Sequence, residues 1–161
     1  MNAVGLKAEM ALKAFLEGLS WGDVDVTVLT SFDRGSQSYA NPEEPDGMPS
    51  LPYIVVRCED STQTHSQIDV HECSMAIDLR TQADDEQPTE MFTLLQIMEE
   101  GLQSLCYGDG WDDLSIAVSG TTPGFDCQYA QPGSFSGMRP EDRTRVFTRS
   151  LTVWGRTVKP S

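Results

Sequence analysis

Two segments carry apolar residues at helical spacing, and both predict amphipathic helices. In residues 4–19 the stripe is Leu12, Phe15, Leu16 and Leu19, and charged residues on other faces are Lys7, Glu9, Lys13 and Glu17. In the second segment the stripe is Met91, Leu94, Leu95, Met98, Leu102 and Leu105. Pro88 fits the first turn of this second helix, and the acidic residues at 84–86 and 90 suit its positive N-terminal end.

Alternation of apolar and polar residues predicts strands over 23–30, 53–58, 68–79, 114–118 and 145–156. A polar turn over 60–66 would join the second and third of these into a hairpin. The strand over 68–79 has apolar residues at even positions up to Val70 and at odd positions from Cys73 onward. Its buried face therefore changes phase near His71 and Glu72, and a bulge there would explain the change.

Proline and glycine concentrate in residues 33–52 and 120–143, which predicts two long loops, with residues 125–129 as a candidate short strand inside the second. Loops of that length in small domains are either functional or disordered. Few helices beside mainly hairpin-linked strands predict an α+β fold. We therefore expect residues 1–161 to form a single domain, a mainly antiparallel sheet with two amphipathic helices packed on one face.

The charge of the chain disfavours a nucleic-acid-binding protein. Eleven Lys and Arg residues stand against 25 Asp and Glu, a net charge of −14. Such a surface repels phosphate backbones, so a DNA-tracking groove is not expected. The same charge would suit the wall of a channel through which DNA slides, although solubility alone also explains it.

Targeting and redox signals point to a soluble protein made in a cytoplasm. The N-terminus lacks the features of a signal peptide, and no run approaches the roughly 20 apolar residues of a membrane span. The four cysteines, at positions 58, 73, 106 and 127, include no Cys-x-x-Cys pair. Widely spaced cysteines favour reduced, buried thiols over a disulfide framework.

No motif in the chain has the spacing that catalysis or metal binding requires. His71, Glu72 and Cys73 are adjacent but lack the paired ligands of a structural zinc site. The acidic clusters at 84–86, 109–113 and 141–142 do not match an EF-hand loop. The glycine-bounded segments 120–124 and 133–137 lack the lysine of a phosphate loop and the setting of a nucleophilic serine. The sequence therefore predicts no catalytic, cofactor or metal residues, and we expect a protein that is not an enzyme.

Interface residues are the remaining candidates for function. Four arginines, at 139, 143, 145 and 149, concentrate near the C-terminus of a chain poor in basic residues. Such a patch could meet an acidic patch on a neighbouring copy, or it could simply guard an edge strand with charge. The candidate interface residues are Arg145, Arg149, Asp84, Asp85 and Trp154.

The order of elements resembles that of the tail terminator, or tail completion, proteins of long-tailed bacteriophages. The segments that carry the resemblance are the N-terminal helix leading into Val24-Asp25-Val26-Thr27-Val28, the long strand at 73–81, the Asp84-Asp85 start of the second helix, and Leu114-Ser-Ile-Ala-Val118. The resemblance covers nearly the whole chain as a pattern, without an invariant motif. The two long loops exceed what the pattern demands.

The resemblance implies a structural virion protein of the tail or neck, assembled in the host cytoplasm. It would form a homo-oligomeric, hexameric ring on the head-proximal end of the tail tube, end tube polymerisation and join the tail to the head connector. Its partners would be the tail tube protein and the head-tail connector protein, with DNA only passing through the lumen and no membrane contact. The alternatives are another neck or tail subunit, such as a head-tail joining or tube protein, and a small hydrolase or binding module.

Overall fold

Five strands form one sheet in the computed structural model, which describes residues 3–30, 52–65, 68–82, 88–107, 124–141 and 144–158. The helices among the described residues are α1 (Ala3–Glu17) and α2 (Pro88–Tyr107). The strands are β1 (Thr27–Thr30), β2 (Tyr53–His65), β3 (Ile68–Gln82), β4 (Gly124–Glu141) and β5 (Thr144–Val158).

The strands lie in the order β1-β2-β3-β5-β4. Only the four-residue β1 runs parallel to its neighbour β2, and every other adjacent pair among the described strands is antiparallel. The hairpins β2–β3 and β4–β5 therefore supply most of the sheet. This architecture confirms the predicted single α+β domain with a mainly antiparallel sheet and two helices.

The hydrophobic core lies between the sheet and the two helices. On β3 the odd positions from Cys73 to Leu79 face the helices, as the alternation predicted. The α2 stripe is likewise confirmed, since Met98, Leu102 and Leu105 are almost fully buried in the same cluster as the α1 residues. One continuous core thus contains both helices and places both on the same face of the sheet, which we call the helix face.

The chain between α1 and β1 is tied to the core by a tryptophan. Trp21 is buried, and its indole Nε1 donates a hydrogen bond of 2.9 Å to the Leu16 carbonyl in the last turn of α1. The next residue, Gly22, has φ 72°, a conformation that glycine adopts at little cost. The predicted strand over 23–30 is shortened to Thr27–Thr30 by this turn.

Two strands are longer than predicted by more than a few residues. β2 continues to His65, so the predicted polar turn over 60–66 is wrong for residues 60–65. The polar residues there belong to a strand whose outer positions are exposed, and polarity alone does not distinguish such a strand from a turn.

β4 is also longer than predicted and spans 18 residues. The sequence predicted a loop reaching residue 143 here, with at most a short strand inside it. β4 is the outermost described strand beside β5, and its pairing shifts register at three places. Proline and glycine are tolerated in an edge strand with bulges, because fewer ladder hydrogen bonds depend on each residue. Pro132 and Gly133 therefore do not interrupt it.

The predicted phase change in β3 has a structural counterpart. Gln63 pairs with His71 and His65 pairs with Ile68, so β3 contains one more residue than β2 between these two pairs. The irregularity therefore lies within about three residues of the predicted position. A second register shift leaves Glu59 as an extra residue in β2 between the pairs of Cys58 and Asp60.

Some predictions fall outside the described residues. These are the loop over 33–52 except Pro52, the strand over 114–118, and the acidic residues Asp84 and Asp85.

The close packing of Gly133 at a bulge in β4 leads to a testable prediction. A Cβ atom at Gly133 would overlap the Ser150 hydroxyl on β5 and would lie 3.2 Å from the Ser150 carbonyl oxygen. We expect Gly133→Ala to lower the free energy of unfolding by about 1–2 kcal/mol, the usual cost of overpacking. Urea unfolding of Gly133→Ala, Ser150→Ala and the double variant would measure this loss. We expect the double variant to lose less than the sum of the two single variants. Strictly additive effects would show that the Ser150 hydroxyl is not the cause of the loss in Gly133→Ala.

Candidate assembly surface

The sheet has a second face, opposite the helix face. On β3 it carries the even positions, including Ala76 and Asp78, and on β5 it carries Thr148 and Trp154 by register. Towards β1 this face is apolar, with Leu29, Tyr53 and Val55 buried together. Its polar and aromatic residues therefore extend from the middle of the sheet towards β4.

A polar network crosses three strands on the second face. Asp78 on β3 is 3% exposed and accepts hydrogen bonds from Arg57 on β2, at 3.0 Å from Nε and 3.3 Å from Nη2. The hydroxyl of Thr148 on β5 donates a third bond to Asp78, at 2.7 Å. The Arg57 Nη1 also donates to the exposed Glu59 carboxylate at 3.1 Å. The bidentate contact with the guanidinium compensates the charge of the buried Asp78 carboxylate. The network therefore fixes the register of β2, β3 and β5.

An aromatic pair lies on the same face at the β4 side of the sheet. Tyr129 on β4 is paired with Trp154 on β5, with ring centroids 5.3 Å apart and an interplanar angle of 43°. Tyr129 is 53% exposed, and Trp154 is half-buried. Gln131 and Thr152 form the next pair on this face, and Gln131 is exposed. The pair thus presents an apolar ring surface within a polar surround, a composition typical of protein interfaces.

The predicted interface residues are divided between the two faces. Trp154 belongs to the aromatic pair on the second face. Arg149 instead lies on the helix face, 17% exposed, with its Nε 3.5 Å from the Glu99 carboxylate of α2. Arg145 is half-buried near the start of β5, where it pairs with Thr81 on the adjacent strand β3. The structure therefore does not bring these three residues into one patch, and Asp84 and Asp85 are outside the described residues.

The Arg149–Glu99 contact is an ion pair without a well-formed hydrogen bond. Neither Arg149 Nε nor Glu99 Oε1 has a hydrogen-bond partner, although each is buried at the atom level. Phe135, 44% exposed, pairs with Arg149 from β4 and stacks on Phe147 at 6.4 Å. Arg149 thus attaches α2 electrostatically to β5 and is flanked by an aromatic ring on β4.

A buried carboxylate on α1 meets β2 at its first bulge. Glu9 is 0% exposed, and its Oε2 accepts a 3.0 Å hydrogen bond from the Cys58 backbone amide. The pattern of α1 had placed Glu9 on a face away from the core, which is wrong. Because the ladder shifts register next to Cys58, its amide is satisfied by a side chain instead of by β3.

Cys58 also belongs to a group of thiols on the helix face. Interaction with the Cys73 thiol lowers the pKa of Cys58, and the same interaction together with burial raises the pKa of Cys73. Burial raises the pKa of Cys106 on α2. All four cysteines are free thiols. Within the described ranges, no group of three or more His, Cys, Asp or Glu side chains is placed to hold a metal ion.

Sequence reasoning missed most of this surface. Arg57 and Asp78 each interrupt an apolar strand with a charge, and the two strands were expected to form a hairpin. Opposite charges in the interiors of two paired strands were therefore a usable signal for the network. Tyr129 lay at the end of the candidate short strand over 125–129, but local sequence did not reveal the pairing of that strand with β5.

Comparisons with known proteins add no family to this picture. Neither described helix has the length and apolarity needed to cross a membrane. No protein-family model and no curated protein sequence matches the chain, so its role has to be inferred from the surfaces described above.

Proposed function

We propose that the chain is a structural virion protein that forms a ring on the head-proximal end of a bacteriophage tail tube. The ring would end tube polymerisation and join the tail to the head connector. The observation that carries the proposal is the aromatic pair formed by the exposed Tyr129 and the half-buried Trp154, on the sheet face opposite the two described helices. The protein would assemble in the host cytoplasm and remain in the virion neck.

The position of the aromatic pair favours contact with a second copy of the chain. It lies at the β4 side of the sheet, whereas both described helices lie on the other face. A neighbour that covers Tyr129 with a different surface of its own makes a heterologous contact, and heterologous contacts close into rings when the rotation permits. Six copies would match the ring of the proteins that the element order resembles.

The charge of the chain is compatible with a DNA channel. A net charge of −14 gives a lumen wall that repels phosphate, so DNA could pass without binding. The tail tube protein below and the head connector above would be the partners.

Electron microscopy of the full chain mixed with isolated tail tubes tests the proposal. We expect single caps at one end of each tube, and rings or monomers without tubes. Label along the tube or filaments of the free chain would indicate a tube protein, and binding to connectors alone would indicate a head-tail joining protein. A chain that stays monomeric at tube ends would exclude the proposal.

The aromatic contact has its own matched test. Tyr129→Lys places a charge in the proposed subunit contact, and central aromatic residues of interfaces commonly contribute about 2 kcal/mol or more. We expect ring formation, measured by analytical ultracentrifugation or cap counting, to require at least about 30-fold more protein. Phe92→Lys is the control, because Phe92 is similarly exposed, at 61%, but lies on α2. Equal losses of ring formation in both variants would show that the second face is not part of the subunit contact.

A further inference from the structure

The hairpin β2–β3 contains two register shifts that cancel each other. Up to Cys58, β2 pairs with β3 in one register, and His65 returns to that register opposite Ile68. Only the four residues 60–63 between the two shifts are displaced, by one residue, with Glu59 as the extra residue at the first shift. A continuous ladder from Cys58 to His65 would therefore contain neither bulge.

The segment 60–63 thus has two pairings available, which differ in the side chains that each face of the sheet receives. In the observed pairing, which we call the bulged register, Thr62 lies opposite Glu72 and Ser61 lies opposite Cys73. Without the bulges, in what we call the regular register, Ser61 would lie opposite Glu72. Because side chains alternate along a strand, a shift of one residue moves each of the four side chains to the other face.

The hydrophobic pattern does not choose between the two registers. The segment reads Asp60-Ser-Thr-Gln63, and all four side chains are polar. Asp60, Thr62 and Gln63 are exposed, and Ser61 is half-buried. An apolar face can be buried in one register only, but a segment that is polar on both faces specifies its register weakly. Contacts outside the segment therefore select the bulged register.

Two carboxylates favour the bulged register. The fully buried Glu9 carboxylate of α1 accepts a 3.0 Å hydrogen bond from the amide of Cys58, the last paired residue before the first shift. In the regular register, Asp60 would lie on the helix face opposite Cys73, which is 0% exposed. A carboxylate at that position would lose hydration, so the bulge keeps Asp60 on the second face.

We propose that residues 60–63 form a two-register switch that couples α1 to the second face of the sheet. The segment stays in the bulged register while Glu9 binds the Cys58 amide, and it reaches the regular register when that hydrogen bond opens. Only polar residues of β2 exchange faces, so the change leaves the hydrophobic core in place. The regular register is the minor state, because Asp60 opposes it.

The switch reaches the aromatic pair of the assembly surface. Glu72 is paired with Trp154, and Trp154 with Tyr129, so these residues form one row across three strands. Thr62 completes the row in the bulged register, and Ser61 would complete it in the regular register. A partner that binds this row more tightly in one register shifts the equilibrium towards that register. This last step alone rests on the proposed function, and the switch itself is a property of the isolated chain.

Cross-strand cysteine pairs report the register of the isolated full chain. Thr62→Cys with Glu72→Cys places two thiols opposite each other in the bulged register. Ser61→Cys with Glu72→Cys does so only in the regular register. Under mild oxidation with copper phenanthroline, followed by peptide mapping, we expect the first variant to form its disulfide at least about tenfold faster than the second.

Two further substitutions test the contacts that favour the bulged register. In the second cysteine variant, we expect Asp60→Ser and Glu9→Ala each to speed disulfide formation at least about tenfold, because each removes one obstacle to the regular register. Asp60 is exposed, so Asp60→Ser leaves the core intact. Leu12→Ala is the control for Glu9→Ala, because it removes a fully buried side chain of the same helix but keeps Glu9. It should leave the rate unchanged.

Three results would overturn the switch. The first is an equal rate in the two cysteine variants, and the second is a rate that neither Asp60→Ser nor Glu9→Ala changes. The third is an equal increase in Leu12→Ala, which would indicate general loosening of the chain. Asp60→Ser decides the result even if a core variant fails to fold. Because this assay needs no tail tubes, its failure is separate from failure of the capping experiment.

Discussion

The Asp78→Ala variant is expected to lose about 3 kcal/mol in free energy of unfolding, which is a large part of the stability of a small domain. The substitution leaves the Arg57 guanidinium without its buried carboxylate and the Thr148 hydroxyl without its acceptor. Breaking a buried pair usually costs about 3–5 kcal/mol, and we take the low end because the Arg57 side chain is 36% exposed and can be hydrated.

The same arginine provides the control for this prediction. Glu59 also pairs with Arg57, at 3.1 Å, but its side chain is 54% exposed, so Glu59→Ala should cost no more than about 1 kcal/mol. Asp78→Asn, which keeps an oxygen acceptor, should lie between the two. Urea unfolding followed by tryptophan fluorescence would measure all three. A loss of no more than about 1 kcal/mol for Asp78→Ala, as small as that expected for Glu59→Ala, would show that the network does not stabilise the sheet.

The difference between the two hairpins shows what the sequence can predict about this fold. In β3 the odd positions Cys73, Met75, Ile77 and Leu79 are apolar and the fold buries them, so the pattern identified both the strand and its inner face. In β4, Pro132 and Gly133 lie within an edge strand whose pairing with β5 shifts register. Local composition cannot distinguish such a strand from a loop, because its stability comes from long-range pairing with β5.

Of the candidate assembly surface, the sequence predicted only one residue, Trp154. Trp154 was identified as an interface candidate from its place near the C-terminal arginines, and it lies in the aromatic pair. Arg149 belongs to the same sequence cluster, but the alternation of β5 turns it to the helix face beside Glu99. Residues that are close in sequence were therefore grouped as one patch although they lie on opposite faces of β5. Successive side chains of a strand alternate between its two faces.

Glu9 shows the limit of amphipathic pattern reasoning. A charged residue on a helix is normally assigned to solvent, yet the Glu9 carboxylate is fully buried against β2. The reason is remote in sequence: an extra residue in β2, 50 positions further along the chain, shifts the ladder beside Cys58. Only knowledge of that bulge would have predicted a buried acceptor on α1.

Removing this acceptor is therefore expected to have a large effect. Glu9→Ala leaves the buried Cys58 amide without a partner and opens a cavity between α1 and β2, so we expect a loss of about 3 kcal/mol in unfolding free energy. Glu9→Gln retains a side-chain oxygen of the same reach and should lose about 1 kcal/mol.

Hydrogen exchange of the Cys58 amide distinguishes the bond from the cavity. The amide should exchange much faster in Glu9→Ala than in Glu9→Gln, and Glu17→Ala, at an exposed charged position at the end of the same helix, should leave it unchanged. Urea unfolding supplies the matching free energies. If Glu9→Ala kept both the protection and the stability of the original chain, the bulge would have to be held by the β2–β3 ladder alone, and α1 would be attached to the sheet only by its apolar stripe.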